Sequence, residues 1–275
     1  MLLEGYMRMK ILASIKAFNR RSSNEEQKYK YKKKAFAEGG TSLLYKCQMR
    51  GKSEVYVAKV LRKECKGKLG RKRFNVECEM LQRFKGKTHI IQVVEILEDR
   101  IILPQMAEDL FEVLLRARPL SEINAKVIFK QICEGVQHLH NEKISHLDIK
   151  TENVLKGFDG LYYLADFQGA LSEFLQEGDV AHITKQFAAP EIAERSPSNS
   201  LLAADMWSLG ILLIEMLIYN SNYLRKGAVE AAIQRISLTY SAELCSLLRS
   251  LLQLDPKNRI TISEVMSHPW LVNNS

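Results

Sequence analysis

Residues 146–153 read His-Leu-Asp-Ile-Lys-Thr-Glu-Asn, and thirteen residues after Asn153 the chain reads Asp166-Phe167-Gln168-Gly169. Between them, Val154-Leu155 and Leu161–Ala165 read as a buried hairpin that leaves Asp166 at its end. Any fold for this chain must bring one polar loop and the turn after that hairpin to a common point. Asp148 can accept or orient the proton of an attacking hydroxyl. Lys150, two residues on, can neutralise charge that develops in a transition state. The Asn153 amide oxygen and the Asp166 carboxylate are the hard oxygen donors that Mg2+ prefers. An Asp and an Asn five positions apart, then a second Asp, have the spacing of a phosphoryl-transfer site.

A second group lies earlier in the chain. Lys59 sits in the apolar stretch Val55-Tyr56-Val57-Ala58-Lys59-Val60-Leu61. A lysine on such a strand must pair or point into a cleft. Glu77 is the expected partner, on a helix whose buried side is marked by Phe74, Cys78 and Leu81. Ala37-Glu38-Gly39-Gly40-Thr41-Ser42-Leu43-Leu44 forms a turn of small residues, at which backbone N–H groups can approach a phosphate. Ala37 and Ser42 have less φ freedom than glycine, which predicts a weaker grip.

The order of elements predicts an α+β chain. Strands are expected near Tyr31–Phe36, Leu43–Met49, Val55–Leu61, Ile90–Glu95 and Ile101–Pro104, with one helix over Phe74–Phe84. Ser121 then caps a helix to about Asn141, with a stripe of Val127, Ile128, Ile132, Val136 and Leu139. Further helices are expected near Leu202–Tyr219, Ala228–Ser237, Ser241–Leu252 and Thr261–His268. Asp205 is expected to cap the first of these and to tie down the loop at Asp148. Glu191, in Ala189-Pro190-Glu191, needs a buried cation, for which Arg259 is the candidate.

Residues 1–28 read as an extension, in which Met7, Ile11, Leu12, Ile15 and Phe18 recur at helical spacing. Docking of that stripe on the domain, on a partner or on a membrane surface, and a role as a targeting peptide, all remain open. The net charge of +8 is uneven, since residues 1–75 hold 21 Lys and Arg against 6 Asp and Glu. The basic runs lack interleaved aromatics, so no clear nucleic-acid site is read from them. The five cysteines are scattered and lack metal-ligand spacing, which predicts free thiols in a reducing compartment: the cytoplasm, with nuclear access open. The apolar run Leu209–Ile218 is interrupted by Glu215 and is too short to span a bilayer. Glu4, Arg8, Lys10 and Lys16 interrupt any signal-peptide core in Met1–Phe18.

Together these motifs resemble a eukaryotic-type protein kinase domain of the serine/threonine type, from about Tyr29 to Leu271. The resemblance implies a two-lobed fold: a small, mostly antiparallel sheet lobe with one main helix (about 29–104), a hinge (about 105–108) and a larger helical lobe (about 109–271). It implies ATP and Mg2+ as cofactors and a protein Ser or Thr hydroxyl as acceptor. Asp148 and Lys150 would be catalytic, and Asn153 and Asp166 would hold metal. Ala37, Gly39, Gly40, Ser42, Leu44, Val57, Lys59, Glu77, Gln105, Met106, Asp109 and Leu155 would surround the nucleotide, with Asp109 on the ribose. Lys150 and Thr184-x-x-Phe187 resemble serine/threonine rather than tyrosine kinases. Ser267-His268-Pro269-Trp270-Leu271 is similar to the end of calmodulin-dependent-type kinases.

The departures from the pattern are specific. The family's glycine-rich turn has become Ala-x-Gly-x-x-Ser-x-Leu. Leu147 replaces the Arg that receives an activation-segment phosphate, which predicts activity without that phosphate. Gln168 replaces a glycine and stiffens the metal-binding turn, and Pro104 aligns with the gate to the rear pocket. These motivate an alternative, a pseudokinase that binds nucleotide or partners with little turnover. Glu152 and Asp109 are expected to favour substrates with basic residues before the target hydroxyl, a pattern that Arg20-Arg21-Ser22-Ser23 itself carries.

Overall fold

The computed structural model describes residues 28–172, 189–193, 201–218 and 229–273. The chain divides into two compact units. The first runs through Cys78 and includes Gln92–Gln105; the second holds Glu79–Ile91 and everything from Met106 on.

The first unit is built on an antiparallel sheet. Its strands are β1 (Tyr29–Tyr31), β2 (Ala37–Glu38), β3 (Ser42–Met49), β4 (Val55–Leu61), β5 (Glu95–Ile96) and β6 (Arg100–Pro104). They run in the order β1-β3-β4-β6-β5, with β2 also on β3. The expected first strand is shorter than read and shifted towards the N-terminus. Lys32 N–H still donates to Lys46 O at 2.9 Å, but Lys33 and Lys34 leave the ladder, which resumes at Phe36 and Ala37; three adjacent like charges suit solvent better than a paired strand. The helix α1 (Lys68–Arg83) begins six residues before the expected Phe74. Its first turns are polar, so apolar periodicity does not reveal them. Lys28, at the boundary of the expected extension, pairs with Glu95 at 2.8 Å, and Tyr29 donates to the same carboxylate at 2.6 Å. The stripe in residues 1–27 lies outside the described residues.

Pairing register decides which side chains share a face, because directly opposed residues point the same way. Lys59 faces Leu44 on one side and Ile101 on the other, and Val57 faces Leu103. Pro104 faces Tyr56, on the opposite surface of the sheet. Leu103, not Pro104, therefore shares the face of Val57 and Lys59, and the expected gate position of Pro104 is corrected by one residue.

The second unit is mostly helical. Between β7 (Glu108–Asp109) and the long helix lies α2 (Leu110–Ala117), which the sequence reading did not separate. Then come α3 (Glu122–Asn141), β8 (Ile144–Ser145), the hairpin β9 (Val154–Lys156) and β10 (Tyr162–Leu164), and β11 (Leu171–Ser172). The remaining helices are α4 (Pro190–Ala193), α5 (Leu201–Leu217), α6 (Val229–Ile236), α7 (Ala242–Leu251), α8 (Ile262–Met266) and α9 (Pro269–Val272).

Ser121 caps α3 by accepting from the Asn124 N–H, as expected. Val127 is 54 % exposed and leaves the expected stripe; Ile128, Ile132, Val136 and Leu139 stay in it. The expected strand Ile90–Glu95 survives only at its end. Ile90 and Ile91 instead join β10, with Ile91 N–H donating to Leu164 O at 3.0 Å. This segment crosses α3 so closely that a Cβ on Gly135 would lie 2.6 Å from His89 O, so glycine is required there. Helix α5 is apolar around its circumference and buried from Ala203 to Leu217, which makes it the core of the unit. Trp270 packs edge-on against Phe129 at 5.9 Å and donates to Glu122 at 2.8 Å, fastening the C-terminal helices to α3. Among the described residues no helix is long and apolar enough to cross a membrane.

Candidate active site

In the first unit, Ala37 opposes Leu44, and Leu44 opposes Lys59. Val57 lies two residues before Lys59 on the same strand. Four of the expected nucleotide residues thus share one face of the sheet. On it Lys59 Nζ donates to Glu77 Oε1 at 2.6 Å, with both side chains almost fully buried. Burial of both charges is tolerable only because they are paired. The Gly39-Gly40-Thr41 tip closes through Gly39 N–H to Ser42 O at 2.8 Å. Neither Ala37 nor Ser42 has a positive φ, so the substituted turn carries no backbone strain at those positions.

In the second unit the polar loop between β8 and β9 is held from below. Asp205 Oδ2 accepts from His146 N–H at 2.7 Å, and Asp205 Oδ1 accepts from Leu147 N–H at 2.8 Å. His140 Nε2 lies 2.9 Å from the same carboxylate. Asp205 does tie down the loop, but it does not cap α5, which begins four residues earlier. Leu147 takes φ 63°, a left-handed conformation that is unusual for a bulky residue. The bond to Asp205 holds it there. The loop after Leu147 is thereby turned over.

Asp148 Oδ2 then accepts from Lys150 Nζ and from Asn153 Nδ2, each at 2.8 Å. Asn153 Nδ2 also donates to Asp148 O at 2.8 Å. Both bonds use the amide nitrogen, which leaves Asn153 Oδ1 as the oxygen available for a cation. His146 is fully buried, its ring tilted at 58° against Phe167 with the centroids 5.1 Å apart. Asp148 N–H donates to its Nδ1 at 3.3 Å, so Nε2 carries the proton towards Ala165 O at 3.1 Å. Burial pushes the His146 pKa down, against the charges of Asp205, Asp148 and Asp166 acting on it. A neutral imidazole thus joins the catalytic loop to the Asp166 turn.

Asp166 lies at φ 63°, which Asp tolerates better than most residues. Phe167–Gly169 follows as a short 3-10 turn. Gln168 is not at positive φ, so the replacement of glycine does not strain this turn. Across the other ladder, Asp109 opposes Leu155. Asp109 is also the N-cap of α2, with Oδ1 accepting from Glu112 N–H at 2.8 Å. Burial pushes the Asp109 carboxyl up, and the bond from Glu112 only partly offsets this. The cap is a structural task beyond the ribose and substrate contacts expected of Asp109. Gln105 and Met106 follow β6, at the junction of the two units.

Sequence reasoning treated Glu215 only as an interruption. In the structure its carboxylate reaches the catalytic loop, where Thr151 Oγ1 lies 3.4 Å from Glu215 Oε2 and 3.2 Å from Glu152 Oε2. Burial, then the charge of Glu152, pushes the Glu215 carboxyl up to about 7. A lone acid inside the apolar α5 was the available signal.

Glu191 and Arg259 form the expected pair, bidentate at 2.8 and 3.1 Å, with further bonds from Arg259 to Ala203 O and Gln253 O. Thr184, Phe187, Glu173, Glu177 and Asp179 lie outside the described residues. All five cysteines are free.

Comparison with known proteins agrees with this arrangement. The protein kinase domain family model matches residues 31–271. Death-associated protein kinase 2 of Homo sapiens is 30 % identical over 258 residues, covering 85 % of this chain and 69 % of that protein. Serine/threonine-protein kinase 17A of Oryctolagus cuniculus is 28 % identical, covering 86 % and 64 %. Sperm motility kinase 3A of Mus musculus is 28 % identical, covering 73 % and 41 %. With the motif residues in this geometry and the family model spanning nearly all of it, the chain belongs to the protein kinase domain family.

Proposed function

We propose that this protein kinase is an active, ATP- and Mg2+-dependent enzyme that phosphorylates serine or threonine in proteins. The observation that carries the reading is the orientation of the Asn153 amide. Its nitrogen is committed to Asp148, which leaves oxygen for a cation. A pseudokinase has no need to hold this oxygen, or Lys150 on Asp148, in place. Among the described residues no cluster of three or more His, Cys, Asp or Glu could hold a metal unaided. That suits Mg2+, which takes one or two protein ligands and completes its shell with phosphate oxygens and water. The donor set, Asn153 Oδ1 and the Asp166 carboxylate, fits such an ion.

Bound Mg2+ and ATP supply the transferable phosphoryl group and screen its charge. Asp148 orients the acceptor hydroxyl and takes its proton, and Lys150 neutralises charge on the oxygens in transfer. Lys59, kept straight by Glu77, holds the inner phosphates. The turn at Gly39-Gly40 would cover them, and Leu44 and Val57, on the same sheet face as Lys59, would give the base apolar contact. The relative named serine/threonine-protein kinase 17A supports the hydroxyl class. The free thiols support a reducing compartment, the cytoplasm with access to the nucleus.

Transfer of labelled phosphate from ATP to a generic basic protein tests the reading; no transfer with Mg2+ would favour the pseudokinase. A thermal measurement separates metal from nucleotide. With ATP at ~100 times its Kd, Mg2+ should raise Tm by about 5–10 °C over apo protein, following a gain of ~2.7 kcal/mol. EDTA should remove most of that rise. An equal rise with EDTA would contradict the assignment of Asn153 and Asp166 to metal.

Glu152 and Glu215 converge on Thr151, and Asp109 lies close enough to feel the charge of Glu152. A cationic side chain of the substrate relieves this repulsion. Peptides with Arg before the target serine should be preferred about tenfold in kcat/KM, the size of one charge-assisted hydrogen bond. Glu215 is protonated below about 7 and ionised above it. The preference should therefore grow between pH 6 and 8. A peptide array showing acidic or proline-directed preference would refute it.

A further inference from the structure

Five lysines of the first unit stand together without an acid. Lys30 lies on β1, Lys32, Lys33 and Lys34 follow it, and Lys46 lies on β3. All five are exposed, and among the described residues none pairs with a carboxylate. Other lysines of the unit do pair, Lys28 with Glu95 and Lys66 with Asp99.

The arrangement works against folding. Tyr31 opposes Cys47 in the ladder, and Lys32 N–H donates to Lys46 O at 2.9 Å, so Lys32 and Lys46 are the next opposed residues. Like charges directly opposed across two strands are destabilising. Lys46 Nζ also lies over the Phe36 ring, 5.8 Å from its centroid, and Phe36 is 52 % exposed. A large apolar ring thus stands in water among cations that the fold does not use.

The sequence leading into this patch has the same character. Residues 1–27 carry Arg8, Lys10, Lys16, Arg20 and Arg21, together with the helically spaced stripe of Met7, Ile11, Leu12, Ile15 and Phe18. An anionic bilayer takes both kinds of group. Its headgroups attract clustered lysines, and its interface accepts an apolar stripe and an aromatic ring. An acidic protein or a nucleic acid would use the charges and leave Phe36 and the stripe without a role. We propose that the segment from β1 to Phe36, with residues 1–27 ahead of it, docks this protein on anionic lipid surfaces.

Co-sedimentation of the full chain with vesicles tests the proposal. Wild type should bind phosphatidylcholine vesicles that contain about one third phosphatidylserine, and bind pure phosphatidylcholine far more weakly. Salt at about 1 M, where screening acts within ~3 Å, should remove most of that binding. Replacing Lys32, Lys33 and Lys34 together by Gln should weaken it about 10²-fold, at about fivefold per lysine. The same three changed to Arg should bind like wild type. Phe36→Ala and Leu12→Glu should each cost about 3–10-fold through lost apolar contact. Undiminished binding by the Gln variant, or equal binding to neutral vesicles, would overturn the proposal. So would equal losses in the Gln and Arg variants, which would reduce the lysines to a structural role. Capture of duplex DNA or polyglutamate by wild type, with no binding to vesicles, would overturn it in favour of a nucleic acid or an acidic protein.

Discussion

Asp148→Asn should lower kcat by about 10²-fold or more, the usual size of a general-base contribution. Nucleotide affinity and Tm should stay near wild type. The reason lies in how Asp148 is held. Its Oδ2 accepts from both Lys150 and Asn153. An asparagine keeps one acceptor oxygen of the same shape, so Lys150 and the Asn153 amide need not move. What is lost is the charge that takes the hydroxyl proton. Single-turnover transfer to a peptide, with MgADP titration as the control, separates the two effects. Equal transfer by wild type and variant would remove Asp148 from catalysis and leave the polar loop a binding device.

The residues that carry chemistry were legible because chemistry restricts residue type. Few alternatives to Asp148, Asn153 and Asp166 supply oxygen donors at that spacing. Lys59 was legible for a different reason: a cation on an apolar strand must find a partner, and α1 provides one acid on its buried side. Register was not legible. Whether Leu103 or Pro104 shares the face of Lys59 depends on a one-residue offset between β4 and β6, which only the pairing fixes.

Double duty also stayed hidden. Asp109 reads as a ligand contact because nothing in the short β7 announces the helix that it caps. The same holds for Asp205: an acid near the start of an apolar stretch reads as a cap, yet α5 extends past it and frees the carboxylate for the loop. The departures at Ala37, Ser42 and Gln168 read as weaknesses on the basis of φ freedom. None of the three sits at positive φ, so the fold carries no backbone strain at these positions. The left-handed position falls instead at Leu147, where the sequence gives no hint of it.

Asp205→Ala should be the most damaging change outside the reacting atoms, in both stability and rate. The carboxylate is fully buried and accepts from His146 N–H and Leu147 N–H, with His140 beside it. Removing it leaves two buried N–H groups without an acceptor, at ~1–3 kcal/mol each. A loss of about 4 kcal/mol corresponds to a fall in Tm of roughly 10 °C for a chain of this size. The catalytic loss follows from Leu147. Its left-handed backbone is unfavourable on its own, and without the bond to Asp205 the loop is free to relax to a common conformation. Asp148, one residue on, then leaves its place beside Lys150 and Asn153, and a shift of about 1 Å at a reacting group can cost about 10²-fold in rate. Asp205→Asn separates the two contributions, since one oxygen can still accept while its NH2 group faces the other backbone N–H. It should fall between wild type and Asp205→Ala in both Tm and kcat. A variant that loses stability while keeping wild-type kcat below its melting range would show that the loop holds its shape without Asp205.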